Sequence, residues 1–485
     1  MNQARSRYEK LSRANLNSIK YEIEVTSYNN FDKARILYNH LYFNDLEDDF
    51  IENIFKDKNY WKIIKHVNYN PRLIEYFTNK LNISHLKPDE YFSFIMDNLN
   101  NPEEIWNSAF INQLNNEEKI LLLTLISFGK STSKNTLESA FEELISNEVL
   151  KHGFTRNINI FNISIKNLLD GYISNSYFST YSKDSYIDFI NPSLKDYLIS
   201  FLNKNKSEKW RIIDSFIYIE QFLTIFRPRK DAENNVIIEK NEINKFLEFA
   251  NSRSFLSIYS NKNSYLNLRI ALLNSTYLKF DKDSFIENLI LARLHAVDWK
   301  EFEKLWFYDI IPILKSIPVE SNLANYVKEN WDTIIRKLVD FVESDYEMDQ
   351  LVGIFERFEI IFSDYRTEDD DWFESLHLAV DKIFENEAVQ LIEKEQQNVY
   401  SRKDFEKLQE NIYDRYYDLT NNYLGRTDVE SSHDPFSQID VDNLISENHE
   451  ALNKSDSEDV KWDKKAFDME DSTNKVDDLF SRFER

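Results

Sequence analysis

Only 5 glycines and 8 prolines stand among 485 residues. Average usage is roughly 7% and 5%. Glycine supplies the positive φ angles of tight hairpins and phosphate-binding turns, and proline is the other common breaker of regular structure. A chain so poor in both cannot reverse direction often. Folds rich in short strands are therefore disfavoured, and helices joined by polar turns are expected. The 36 Phe and 27 Tyr supply ample apolar material for cores, and at roughly 100–200 residues per domain the length allows two to four of them. The fold class read from these facts is mainly α.

Charge and chemistry narrow the function. A net charge of −25 repels nucleic-acid phosphate unless basic residues are segregated on one face, and the longest basic stretch is only Arg227-Pro228-Arg229-Lys230. Nucleic acid is not an expected partner. Without cysteine there is no disulfide, thiolate metal site or sulfur nucleophile. The N-terminus has no apolar signal stretch, and the longest apolar run, Ile120 to Phe128, is too short to span a bilayer; a cytoplasmic protein without membrane attachment is expected. One fragment invites a phosphate-binding reading, Gly129-Lys130-Ser131, but Thr124 stands where a P-loop needs its first glycine. The fragment reads as a polar turn between helices, and no catalytic residue is assigned.

Three strings organise the first two hundred residues: KARILYNHLYFND (Lys33 to Asp45), HVNYNPRLIEYF (His66 to Phe77) and FINPSLKDYL (Phe189 to Leu198). The first is helical, with Asp32 as a candidate N-cap; Asn39 and His40 lie on or near its apolar side, and His40 reads as a packing residue. A second helix spans Asp48 to Phe55. A third opens at Pro71, because a proline at the first helical position loses no hydrogen bond; Asn70 would cap it, and Leu73, Ile74, Phe77 and Leu81 would be its buried stripe. From Leu114 to Leu202 the pattern reads as a winged-helix unit. Its helices are expected at Glu117 to Phe128, from Asn135 with Glu138 at capping-box spacing, and at Ile163 to Ile173. Strands are expected within Tyr177 to Phe189. A closing helix follows, capped by Asn191, with Pro192 in its first turn and Leu194, Tyr197 and Leu198 facing inward. Lys166 and Asn167, set against Asp170, make a poor DNA-reading surface.

From Lys204 to Tyr423 amphipathic segments follow one another without a fixed period: Trp210 to Phe226, Ser284 to His295, Glu301 to Leu314, Asn322 to Val342 and Asp371 to Phe384. Ser284 and Glu287 suggest another capping box. An irregular α-solenoid, with a long surface for partners, is expected. Glu368-Asp369-Asp370-Asp371 suggests a cation site, but contiguous acids cannot all face one centre, and they suit a helix N-terminus instead. Arg426 to Asp471 is too polar to offset chain entropy and is expected to be a disordered acidic tether. Val476, Leu479, Phe480 and Phe483 then restore a helical stripe, either a short docking peptide or a frayed end. Near the start, Tyr21 to Thr26 alternates like a strand.

In order and spacing the three strings resemble the region that follows the nucleotide-binding core of bacterial STAND NTPases, signal-transducing P-loop ATPases linked to defence, and are most similar to the third novel STAND group. IKNLLDGYIS, from Ile165, is similar to that group's LxxLxGSFI pattern. The resemblance implies residues 1–30 as the end of an NTPase core, 31–112 as a helical lid, 113–203 as a winged-helix domain acting as hinge, 204–425 as a sensor array, 426–475 as a linker and 476–485 as a terminal helix. It implies nucleotide contact by Asn70, by Pro71 on adenine and by Arg72 on phosphate, and a phosphate-sensing arginine at Arg5 or Arg7, ahead of Tyr8 and Ala14. Asn191, Pro192 and Asp196 would belong to the hinge. This chain alone would hold no cofactor; ATP or ADP with Mg would bind only with a supplied NTPase core. Partners implied are a trigger protein on the array, often viral in such relatives, an NTPase core or effector protein, and further copies in an activated oligomer. The chain departs from the family in carrying neither P-loop core nor recognisable effector, which suggests a truncated frame or a split system. The alternatives are a stand-alone α-helical protein-binding scaffold and a winged-helix DNA-binding regulator.

Overall fold

The computed structural model describes residues 29–44, 46–84, 86–169, 171–177, 184–229, 234–280, 283–366, 371–437, 439–455 and 475–481. As the breaker-poor composition requires, the described residues are mainly helical, with only short strands. The main helices of the first block are α1 (Asn30–Phe43), α2 (Asp48–Phe55), α3 (Asn59–Ile64), α4 (Pro71–Phe77), α5 (Tyr91–Asn100) and α6 (Glu103–Ser108), with one further helical turn at Lys80–Ile83. Helix α1 starts earlier than its sequence suggested: Asn29, not Asp32, is the cap, and its side chain accepts the Asp32 amide at 2.9 Å. Ala34, Leu37 and Leu41 form the buried stripe. Helix α4 begins at Pro71 as expected, and the Asn70 carbonyl accepts the Ile74 amide at 3.1 Å. The Tyr69 hydroxyl donates to the Lys33 carbonyl at 2.7 Å, joining the second string to the first.

The next block runs α7 (Asn116–Phe128), β1 (Thr132–Ser133), α8 (Lys134–His152), α9 (Ile160–Leu168), β2 (Ile173–Tyr177), β3 (Ser185–Phe189) and α10 (Pro192–Lys204). The apolar run Ile120 to Phe128 is buried on every side of α7, the signature of a core helix rather than an amphipathic one. Helix α8 is capped by Ser133, whose hydroxyl accepts the Thr136 amide at 3.1 Å, so the Asn135 and Glu138 pair is not the cap. Helix α9 lies three residues upstream of its expected start. It is entered through the left-handed Asn159, and it ends where Leu169 turns out to bridge Ile173, which opens β2 rather than closing a helix. The sheet is antiparallel with order β1-β3-β2, and Asn175 lies opposite Ile187.

The remainder is helical: α11 (Lys206–Ile213), α12 (Ile219–Ile225), α13 (Ile243–Ser252), α14 (Asn263–Leu278), α15 (Ser284–His295), α16 (Lys304–Ser316), α17 (Asn322–Glu329), α18 (Trp331–Asp340), α19 (Asp345–Arg357), α20 (Asp371–Glu395), α21 (Arg402–Leu424) and α22 (Val441–Ser455). Two expected helices are each broken in two. Trp210 to Phe226 turns at Asp214 to Tyr218 and ends in β4 (Phe226–Pro228), which pairs in parallel with β5 (Val236–Ile238). Asn322 to Val342 breaks at Asn330. Asp283 rather than Ser284 caps α15, accepting the Phe285 amide at 3.0 Å.

The expectation of disorder from Arg426 onward is corrected for residues 426–437 and 439–455. Phe436 is buried against Phe405 and Tyr413, with ring centroids 5.5 and 5.9 Å away. The Asn448 side-chain amide donates to the carbonyls of Gln396 and Val399 at 2.6 and 2.8 Å, and Arg402 Nη2 reaches both Asp442 carboxylate oxygens at 2.9 and 2.8 Å. The segment docks through side-chain donors that meet carbonyls and carboxylates near the turn after α20, which a polar composition permits. Residues 475–481 form a last helix, α23. Arg5, Arg7, the Tyr21 to Thr26 alternation, Glu368 to Asp370 and the tether 456–474 lie outside the described residues; Asp371 is the first residue of α20.

Candidate functional site

The second and third strings meet. Asn191 caps α10 by accepting the Ser193 amide at 2.9 Å, and Pro192, with no amide hydrogen to place, fills the first helical position. The other half of the Asn191 amide group donates to the Asn68 carbonyl at 3.3 Å, in the turn leading to Asn70 and Pro71. The turn is braced internally: the Asn68 amide donates to His66 Nδ1 at 3.1 Å, and the Asn68 side chain donates to the Leu99 carbonyl at 2.9 Å. On the other side, Trp106 Nε1 donates to Ser193 Oγ at 2.9 Å, and that hydroxyl donates to Asn191 Oδ1 at 2.8 Å. The result is a polar relay, Trp106 to Ser193 to Asn191 to the Asn68 carbonyl, running from α6 through the α10 cap into the first block. Each link polarises the next, and a buried network of this kind holds one geometry.

The same junction is closed along α6 and α10. Tyr197 donates to Asn107 Oδ1 at 3.1 Å, and Ser200 donates to Glu103 at 3.0 Å. Burial, with the nearby Glu103 charge, pushes the Tyr197 hydroxyl up to about 12. Lys204 and Ser200 hold the Glu103 carboxyl below its ordinary value. Asn70 is 2% exposed and Pro71 half-buried; the side chain of Arg72 lies outside the described residues. A nucleotide reaching Asn70 would require the start of α4 to be uncovered. Asp196 projects outward from α10, and partial desolvation raises its carboxyl against the pull of Lys195. His40 is half-buried and its imidazole is lowered by burial, partly offset by Glu75, as befits a packing residue.

Gly129-Lys130-Ser131 lies at the wrong end of a helix for phosphate. Gly129 terminates α7 in the left-handed region at φ +67°, and its amide donates back to the Ile126 carbonyl at 2.8 Å. A helix C-terminus carries negative partial charge. Beside it is an open cleft of about 370 Å³ between α7, α12 and α14, lined by Lys130, Arg227, Arg269, Tyr259 and Glu220. Its cations are already engaged. Arg269 pairs with Asp309 at 2.7 Å and Glu220 at 3.7 Å; Arg227 donates to the carbonyls of Leu223 and Phe226 at 2.8 Å; Lys130 donates to the Tyr259 hydroxyl at 3.1 Å. These contacts brace the cleft across α7, α12 and α14.

Helix α11 ties this unit to the helices that follow by ion pairs to Glu148 and Glu242 that the sequence reading missed. Arg211 forks onto the buried Glu148 of α8, with Nε to Oε1 at 2.5 Å. Lys209 and Glu242, with side chains 5% and 4% exposed, meet at 2.7 Å; Lys209 also donates to the Ile237 carbonyl at 2.9 Å. Lys206 and Trp210 reach the other carboxylate oxygen at 2.8 and 3.1 Å. Burial alone would raise the Glu242 carboxyl, but these donors pull it down to about 2.

The exposed face of α9 bears Asn162, Ile163, Lys166 and Asn167. Asn162 is tied to Asn159 at 2.9 Å and Asn167 to Glu118 at 2.8 Å, so both amides are held within the fold rather than free for base edges. Among the described residues no group of three or more His, Asp or Glu converges as a metal ion requires, and no helix is long and apolar enough to cross a membrane. No family model, curated protein or solved structure matches this chain.

Proposed function

We propose that these residues are the lid, hinge and receptor parts of a STAND-type signal-transducing NTPase serving bacterial antiphage defence. In this reading the block from α1 to α6 is the lid over a nucleotide. The unit from α7 to α10 is a winged-helix hinge, and the helices from α11 to α21 receive a trigger protein. ATP or ADP with Mg is held by a P-loop core joined to this chain or supplied by a partner, with Asn70, Pro71 and Arg72 of the lid contacting it. Engagement of the array then moves α11, the hinge follows, and the lid releases nucleotide and permits assembly.

The observation that carries the reading is the relay from Trp106 through Ser193 and Asn191 to the Asn68 carbonyl. It joins two of the three strings on which the family resemblance rests, and it does so where a hinge would lock a lid. The order helix, strand, two helices, hairpin, with β1 pairing β3, supports the winged-helix assignment.

The test is nucleotide exchange. The chain joined to a P-loop core is loaded with fluorescent ADP, and release is compared between wild type and a Trp106→Phe, Asn191→Ala variant. Faster release by about tenfold is expected, equivalent to roughly 1.4 kcal/mol of lost locking. Equal rates in both would leave a protein-binding scaffold as the better account.

A further inference from the structure

The two ends of the described chain meet in one recognition site. Helix α23 lays Val476 and Phe480, four residues apart and therefore on one face, against the first block, where they are 0% and 4% exposed. The Phe480 ring stacks on Tyr60 with centroids 4.2 Å apart and planes 14° from parallel, and it meets Phe55 and Tyr38 edge-on at 5.6 and 6.0 Å. Asp477 accepts from the Tyr60 hydroxyl and from Trp61 Nε1, both at 2.7 Å, and pairs with Lys58. Three donors converge on one carboxylate; against the desolvation of burial they hold it below its ordinary value.

The receiving surface is shaped for this. Asp57 and Lys58 both adopt left-handed backbone, at φ 51° and 55°, which costs a non-glycine residue energy and recurs at ligand clamps. That turn places the Lys58 ammonium, the Tyr60 hydroxyl and the Trp61 indole around one point. The combination of a stacked aromatic slot and a three-donor carboxylate seat, one helical turn apart, defines a ligand: a short helix carrying an acid and, three residues later, a phenyl ring.

We propose that the groove formed by Tyr38, Phe55, Lys58, Tyr60 and Trp61 is a peptide-recognition site whose ligand is the chain's own Val476-Asp477-Asp478-Leu479-Phe480 segment, bound in cis and exchangeable. Residues 456–474 connect it to α22, nineteen residues by number. A tether of that length sets a local concentration on the order of millimolar, so a segment of modest intrinsic affinity remains docked until a competing acidic-aromatic helix displaces it. This does not rest on the nucleotide reading, since neither relay nor hinge contributes to the groove.

The test uses the full chain with Asp477→Ala and Phe480→Ala, which vacates the groove, and a fluorescein-labelled peptide of residues 472–485. Saturable one-to-one binding to this variant is expected by anisotropy, with at least about tenfold weaker binding to wild type, whose groove is filled, and to the vacated variant carrying Lys58→Glu. In a second measurement, amide exchange at Tyr60 to Ile64 should quicken in a Lys58→Glu chain, a change at an exposed side chain that leaves the core untouched. Equal binding to wild type and vacated chains, or no binding to a vacated chain of native circular dichroism, would overturn the proposal. So would a Phe480-dependent dimer by light scattering, which would put the segment in a second copy.

Discussion

Replacing Glu242 by Gln tests whether α11 is pinned to the array as strongly as its geometry indicates. The substitution keeps shape and removes the charge that four donors share, from Lys206, Lys209, Trp210 and the Glu239 amide. Lys209, 5% exposed, is left with a neutral amide and the Ile237 carbonyl for an ammonium that has little water. A carboxyl held at about 2 instead of 4.5 corresponds to about 3 kcal/mol in favour of the ionised, folded form. Removing one member of a buried pair gives a similar figure, about 3–5 kcal/mol. Because a multidomain chain is not expected to unfold in one step, the assay is hydrogen exchange of the α11 and α13 amides. At neutral pH it should quicken by about 100-fold, the equivalent of a little under 3 kcal/mol. Glu242 is depressed in the fold, so its contribution is fully present above its unfolded value of 4.5 and is lost as pH falls toward about 2; the Gln variant should lack that acid-dependent step at this site. Lys209→Met added to Glu242→Gln should cost less than the two single changes summed, by at least about 1 kcal/mol. Exchange altered by less than about fivefold in the single variants, or strictly additive costs, would refute the claim that this pair holds the joint.

Gly129→Ala should destabilise by about 2–4 kcal/mol, read as a fall in thermal midpoint, because the new Cβ lies 2.5 and 2.6 Å from methyl groups of Thr224 and Ile225 on top of the left-handed backbone. Gly153→Ala shares the left-handed φ of +66° with nothing within 4 Å, so it should cost only about 1 kcal/mol; equal losses at both sites would contradict the packing argument. Trp106→Phe removes the donor to Ser193 and should cost about 1–2 kcal/mol, seen as faster amide exchange at the start of α10, with no change expected around α21. Phe436→Ala should open residues 426–455 to limited proteolysis while the thermal midpoint of the remainder moves by less than about 2 °C; a protected segment would mean that the Asn448 and Arg402 contacts suffice without the ring.

The features legible in the sequence were those decided within a few residues. Pro71 and Pro192 open helices because a fixed φ and a missing amide hydrogen suit that position wherever the rest of the chain goes, and the helical bias follows from how few residues can support a sharp reversal. Caps were less legible. Asp32, Asn135 and Ser284 are each chemically competent, but Asn29, Ser133 and Asp283 stand one to three residues upstream with the same competence, and the choice falls where tertiary packing begins. The breaks at Asp214 to Tyr218 and at Asn330 carry neither glycine nor proline, and apolar periodicity continues across them, so only the neighbours they pack against disclose them. Residues 426–455 misled by composition: poor in apolar side chains, they are held by amide and guanidinium groups meeting particular carbonyls and carboxylates, an arrangement that mean polarity cannot report. The groove at Tyr60 is the extreme of the same limit. An aromatic pair and an acid-aromatic pair each look unremarkable alone, and their meaning depends on a meeting between residues 417 positions apart, which no local pattern encodes.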